Sequence, residues 1–322
     1  MDISAGLGSL YVKYFQQMQQ TILNIGINWP KFAQQLESSS TTETHVFVDR
    51  IPIARQWEGA RVVNNLALRT WNATNLPFED TIALDAFNVA DNKINAFAPS
   101  VQMLSMQATK WADNLFFNKT YGAIAGGTSF VTYDGVDFFS ASHPVNVDQG
   151  ATGPYGTQSN YVTSAGLTSA NFFTARQTMR AYLGADGLPL NVNPNLLMIG
   201  TSLEAAAIQI LQTQWTAPSV GLGQNAAGVV QQNALYGTAD MLTVPDMQAL
   251  NGVIATGNPW LLMDVTGPLK PFIYQLREAP QFYFQVSPQS PAMIDRHELQ
   301  MGFHTRGVGT YGPYFCAYLG VG

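Results

Sequence analysis

Charge is scarce in this chain. Asp, Glu, Lys and Arg make up 11% of its 322 residues, against roughly 25% in a typical soluble domain. A solvated monomer covers its surface with those four types, whereas the core of a protein–protein patch is depleted of them. Asn, Gln, Ser and Thr stand in their place, so composition leans towards an oligomer. Lys and Arg number 15 against 21 Asp and Glu, for a formal net charge of -6. The basic residues are scattered and form no tract or tail, which argues against tight electrostatic binding to nucleic acid. Cysteine is limited to Cys316, which excludes an internal disulfide framework and a cysteine-rich metal site. It sits in the apolar stretch Tyr314–Leu319 and reads as a buried small hydrophobe. No apolar run reaches the roughly 18 residues that span a bilayer. The start, Met1-Asp2-Ile3-Ser4, lacks the basic segment and apolar core of a signal peptide. The expectation is a protein made and kept in a reducing cytoplasm.

Hydrophobic residues reach 46%, and the length leaves room for two packed cores. Leu10, Tyr14, Phe15, Met18, Ile22 and Leu23 recur at helical spacing, which predicts an amphipathic helix within an N-terminal arm over 1–44. Ser38 to Thr44 reads as a linker, so the arm is suited to reaching a neighbour. Val46-Phe47-Val48 and Ile51-Pro52-Ile53 read as strands, the proline favouring an edge. Leu66, Leu68 and Thr70 alternate before a turn-like Asn72–Asn75, and Phe78, Ile82 and Leu84 face away from Glu79, Thr81 and Ala83. Together they predict a projecting β-excursion that needs a partner surface.

Asp91 and Asn92 are placed to cap a short turn, and Pro99 to open the main helix. Ile94, Phe97, Val101, Leu104, Ala108, Trp111 and Leu115 form its apolar stripe, with Gly122, Gly126 and Gly127 ending it. Residues 120–166 are polar and Gly-rich and read as loop. Thr168 caps a helix carrying Phe172, Met179 and Leu183 and closed by Gly184. Pro194 precedes a buried strand, Leu196–Ile199. Thr201-Ser202-Leu203-Glu204 reads as a capping box opening a helix through Leu211. Strands follow near 241–244, 261–263, 272–274 and 282–284. Glu298 to Gly320 reads as two strands joined around Gly307, Gly309 and Gly312.

Three runs are more specific than this order of elements. They are Ala54-Arg55-Gln56-Trp57-Glu58-Gly59-Ala60-Arg61-Val62-Val63, the stretch Tyr133 to Val145, and Asn193-Pro194-Asn195-Leu196-Leu197. In these runs, from about residue 44 to the end, the chain resembles the Mu-like phage major head subunit family. The resemblance implies an α+β capsid fold of the Hong Kong 97 type. Its peripheral domain would span 45–165, with an extended loop at 48–82 and a spine helix at 99–118. An axial domain would cover 166–290, and C-terminal strands over 291–322 would return to the peripheral domain. It also implies a major capsid protein that self-assembles into hexamers and pentamers, closing an icosahedral shell around packaged double-stranded DNA without sequence-specific binding. Implied partners are further copies of itself, a scaffold or protease, a portal and a decoration protein, with no membrane and no cofactor. Some shells of this fold lock neighbours through a lysine of the extended loop. No lysine lies between Lys31 and Lys93, so that bond is not expected here.

Asp134, Asp137, Ser140, Ser142 and His143 form the strongest enzyme-like cluster. His143 suits a metal ligand or a general base for a serine, or else the cluster is a polar loop whose carboxylates and hydroxyls cap turns. No Gly-x-Ser-x-Gly elbow and no His-x-x-x-His spacing accompanies it. His297 and His304, near Asp295, Arg296, Glu298 and Arg306, suit a pH-sensitive or anion-binding cluster, or salt bridges between subunits. Gly221, Gly223 and Gly228 lack the flanks of a phosphate loop and read as a loop at the capsomer centre. Trp57, Glu58, Arg61 and Arg69 are interface anchors on the expectation that Trp and Arg mark hot spots, or else an exposed salt-bridged ribbon. The competing readings are a tail tube or sheath subunit and a hydrolase or metalloenzyme centred on His143. A His143→Ala change is expected to spare assembly of a shell subunit and to abolish an enzyme.

Overall fold

Along Leu196–Ile199 every side chain is buried, and alternate residues enter different cores. Leu196 and Met198 pack with Trp111, Phe116 and Phe272, whereas Leu197 and Ile199 pack with Phe172, Trp260 and Tyr318. Pro259–Met263 repeats the pattern, with Leu261 and Met263 on the first face and Trp260 and Leu262 on the second. A strand covered on both faces reads as an unbroken apolar run because successive side chains point to opposite sides. Two cores therefore share one sheet.

The computed structural model describes residues 26–48, 56–57, 59, 68–90, 94–118, 120–216, 231–250, 257–285, 287 and 289–322. In chain order the elements are α1 (Trp29–Phe32), β1 (Ala33–Glu37), β2 (Thr42–Val48), β3 (Leu68–Thr74), β4 (Leu76–Asp85), α2 (Ala86–Ala90) and α3 (Ile94–Phe117). The loop region carries β5 (His143–Pro144), β6 (Thr157–Gln158) and β7 (Tyr161–Val162). Then come α4 (Ser169–Arg180), β8 (Leu196–Ile199), α5 (Glu204–Leu211), β9 (Trp215–Thr216), β10 (Gln231–Gln232), β11 (Asp240–Thr243) and α6 (Asp246–Ala249). The chain finishes with β12 (Pro259–Met263), β13 (Phe272–Gln285), α7 (Pro291–Arg296), β14 (Glu298–Tyr311) and β15 (Ala317–Val321). The shared sheet is five-stranded in the order β11-β8-β12-β15-β7, and a four-stranded sheet runs β1-β13-β14-β4. β2 and β3 form an antiparallel ribbon of their own.

α3 lies on the four-stranded sheet. Its 24 residues give a rod of about 36 Å at 1.5 Å per residue. Leu104, Ala108, Trp111 and Leu115 of the expected stripe are buried; the side chains of Ile94, Phe97 and Val101 lie outside the described residues. The helix begins at Ile94 and takes Pro99 inside it, where the sequence suggested a start at Pro99. The expected caps Asp91 and Asn92 are likewise outside the described residues. Glycines in β14 permit the close approach. A Cβ at Gly309 would come 2.9 Å from the Leu115 carbonyl oxygen, and one at Gly307 would come 3.0 Å from the Trp111 ring. These glycines were expected to join two strands. Instead β14 runs through Gly307 and Gly309, and the break comes after Tyr311.

Several other expectations are corrected by long-range contacts. Residues 29–37 are not a free arm: Phe32 is fully buried, β1 pairs in parallel with β13, and the N–H groups of Asn28 and Trp29 donate to Asp113. Ser38 to Thr44 is an ordered turn rather than a linker, because one Glu43 oxygen accepts from the Ser39 and Ser40 amides and the Ser38 hydroxyl. Those bonds hold the Glu43 carboxyl below its usual range, the Ser39 amide contributing most. Of the proposed excursion, residues 76–85 do not project, since β4 pairs with β14 along its length. β3 continues through Thr74, leaving only Asn75 to turn the chain. Asn75 is buried and donates to Ser38 and Ser40.

α4 keeps its Thr168 cap, whose hydroxyl accepts from the Asn171 amide, and ends at Arg180, before Gly184. Thr201–Leu203 forms a single 3-10 turn, and no side-chain bond caps α5. The neighbouring Ser202 hydroxyl contacts Gln248 and Asn258. β13 joins the two strands expected at 272–274 and 282–284, with register shifts around Glu278. The C-terminal segment was expected to return wholly to the first unit, but β15 lies inside the five-stranded sheet, between β12 and β7. β7, from the loop expected to belong to the first unit, pairs there too.

Candidate functional site

The loop between α3 and α4 has little regular structure, so its polar side chains organise it. At its centre the His143 ring and the Asp134 carboxylate are both fully buried, with Nδ1 2.6 Å from Asp134 Oδ2. Asp134 Oδ1 accepts from the Thr132 hydroxyl and, at 3.1 Å, from the Val136 amide. Nε2 of His143 lies 3.2 Å from Phe138 O and 3.2 Å from Asn160 Oδ1. The ring stacks flat on Tyr314, 3.8 Å between centroids and 1° from parallel. Burial pushes the Asp134 carboxyl up, but the bond and charge of His143, with the Thr132 and Val136 donors, outweigh it and hold the group below its ordinary value.

A ring covered in this way cannot reach a substrate. Ser140 and Ser142 contact each other at 3.5 Å, and neither hydroxyl bonds to His143. Among the described residues no group of three His, Cys, Asp or Glu side chains is placed to hold a metal. The expectation that a shell subunit tolerates His143→Ala is revised on the same ground: removing a fully buried ring bonded at both nitrogens would strike the fold itself.

The expected interface anchors scatter. Trp57 is 69% exposed, and its indole N–H donates to Gly59 O at 2.8 Å. Glu58 and Arg61 lie outside the described residues. Arg69 in β3 pairs with Asp148 of the loop at 2.9 Å, which ties the ribbon to its own chain. Arg296, at the end of α7, stands 4.0 Å from Glu298. Arg306 sits mid-β14, opposite Glu278 on one side and Pro77 on the other. His304 bonds within the chain to Glu278 at 3.1 Å and to the Tyr283 hydroxyl at 3.1 Å. His297 adopts a left-handed backbone at φ 55° and packs its ring against Phe87 at a 38° tilt. Gly221, Gly223 and Gly228 are outside the described residues.

A buried polar relay went unseen in the sequence. Gln275 is fully buried in β13, donates to Ala73 O and Asn75 Oδ1, and accepts from His45 Nε2 at 2.8 Å. It fastens the ribbon to the four-stranded sheet. Nothing in the local sequence marks it, because its partners lie about 200 residues away in the chain.

The profile of one family, described as Mu-like prophage major head subunit gpT, matches residues 7–167, 153–247 and 240–320. The chain belongs to this family. Among curated relatives, the major capsid protein of Escherichia phage Mu is 23% identical over 169 residues, 52% of this chain and 54% of that protein. The chain thus spans about half the length of the curated relatives it matches. The solved procapsid of bacteriophage JBD30 superposes with a TM-score of 0.56 at 17% identity, covering 99% of this chain and 75% of that one. The JBD30 capsid decorated with minor capsid protein trimers gives 0.56 at 18%, covering 69% and 91%. At such identities the likeness establishes the fold, which is that of phage capsid proteins with mixed helix and strand content.

Proposed function

We propose that this gpT-family chain is a major capsid protein whose copies form hexamers and pentamers and close an icosahedral head around packaged double-stranded DNA. One observation carries the reading: a single head-subunit profile runs through nearly the whole chain. The physical character of the surface supports it. Charge is sparse, and large apolar side chains stand exposed, among them Val46 and Leu68 on the ribbon and Met103 on α3. Interfaces of permanent assemblies bury upwards of about 2,000 Å² and resemble a core cut in half.

In the Hong Kong 97 reading, the peripheral part is the four-stranded sheet with α3, and the ribbon is the base of the extended loop. The five-stranded sheet with α4 and α5 is the axial part. Trp57, Arg296 and Arg306 remain interface anchors in this proposal, with Glu58 and Arg61 beside Trp57 in the sequence. The role is structural rather than catalytic, and the place of action is the virion shell, assembled in the host cytoplasm. Partners would be copies of the chain, a scaffold or protease, a portal, and a decoration protein of the sort named for the JBD30 capsid. Negative-stain microscopy of the expressed protein tests this. Closed shells or isolated capsomers are expected; regular tubes would point to a tail subunit and reject the proposal.

A further inference from the structure

The contacts of His143 fix where its protons sit. Asn160 decides one side. Its Oδ1 accepts from the Ser140 amide at 2.9 Å, while its Nδ2 donates to Phe138 O at 2.7 Å and Tyr314 O at 3.2 Å. Turning the amide over would set its NH₂ against the Ser140 N–H and its oxygen against two carbonyls, so this orientation is enforced. Nε2 of His143 therefore meets two acceptors, Asn160 Oδ1 and Phe138 O. A buried ring nitrogen between two oxygens must carry a hydrogen.

The other side holds one proton between Nδ1 and Asp134 Oδ2. If that proton sat on the carboxyl, the pair would be neutral; on the ring, it is an ion pair. Two donors, the Thr132 hydroxyl and the Val136 amide, already point at Asp134 Oδ1, and donors directed at a carboxyl stabilise its ionised form. The remaining titratable neighbours do not supply a competing cation. Tyr314 covers the ring face, Tyr182 lies edge-on to Tyr314, and Tyr311 spends its hydroxyl on Val131 O while sensing Asp134 and Asp137. Cys316 is a buried thiol. Among the described residues, Asp134 has no ion-pair partner but His143.

We propose that His143 is held as an imidazolium, donating from both ring nitrogens, and that with Asp134 it forms a buried ion pair clamping the loop onto the C-terminal turn. The clamp joins the two cores. Tyr314 belongs to the first and contacts Tyr182 of the second, and Gln158 bonds both the Tyr314 hydroxyl and Leu183 O. Protonation is thus part of the fold at this junction and not a property of an exposed sensor.

Ring nitrogen-15 spectroscopy tests the assignment directly. In protein labelled at histidine, with His45→Gln, His297→Asn and His304→Gln leaving His143 as the sole imidazole, both ring nitrogens should resonate as N–H at neutral pH. A bare nitrogen at the Nδ1 position would place the proton on Asp134 and overturn the proposal. If the triple variant does not fold, spectra of the three single variants assign the His143 signals by elimination in the unsubstituted protein. Both nitrogens of that ring must then be protonated, and a bare nitrogen there contradicts the inference.

Discussion

At the scale of single residues, the protein spends its few charges where they organise backbone. Asp134 is the clearest case, fully buried and bonded on both oxygens. Removing one partner of a buried pair typically costs about 3–5 kcal/mol, because the other charge is stranded. Asp134→Asn should therefore lower stability by about that much, read from the urea midpoint. The pH dependence has a definite sign. The folded carboxyl is held below its unfolded value, which lies near about 3.9, so its contribution is complete above that value. It is lost as pH falls through the lower, folded value. Acid titration of the unfolding free energy should show this loss in the native protein and a shallower slope in Asp134→Asn. An unchanged slope would assign the acid sensitivity elsewhere. The loop cluster was legible as polar and turn-forming, but its burial was not. Serine, aspartate and histidine in one short run read as exposed until a distant Tyr314 is seen covering the ring.

At the scale of elements, what could be read locally was read well. Leu196–Ile199 announces a two-face buried strand through its composition, and α3 shows its stripe at three- and four-residue steps. The failures share one cause: partners far along the chain. Ala33–Glu37 carries two glutamines and looks like nothing in particular, yet β13 holds it by backbone pairing. Thr201 has the spacing of a cap for Glu204, but Thr201–Leu203 winds into a 3-10 turn and no side-chain bond caps α5. Gly307 and Gly309 look like a turn because their real reason, α3 lying against them, belongs to another element. Gly309→Ala tests that packing. Its new Cβ would meet the Leu115 carbonyl at 2.9 Å, and backbone cannot swing aside, so a loss of about 1–3 kcal/mol is expected from overpacking. A neutral effect in urea unfolding would mean that α3 can retreat. Gln275→Leu should also destabilise, by about 1–3 kcal/mol for each buried polar group left without its partner. Faster amide exchange across Thr42–Val48 than across β14 would be its signature.

At the scale of the whole molecule, the two sheets and their cores complete a folded body, but exposed apolar residues and sparse charge leave its surface unlike that of a free monomer. Trp57, Val46, Leu68 and Met103 stand exposed, outside the buried clusters. Under the proposed function those residues would serve as contact area between copies. The proposed extended loop contains no lysine, so mature particles should run on denaturing electrophoresis as a single band at the mass of one subunit. A ladder of covalent multimers would show that some other residue supplies a cross-link. Sedimentation velocity at rising protein concentration probes the central claim most directly. The account predicts species at several multiples of 35.1 kDa, growing with concentration. One sharp 35.1 kDa boundary at every concentration, unchanged when phage assembly proteins are added, would contradict it.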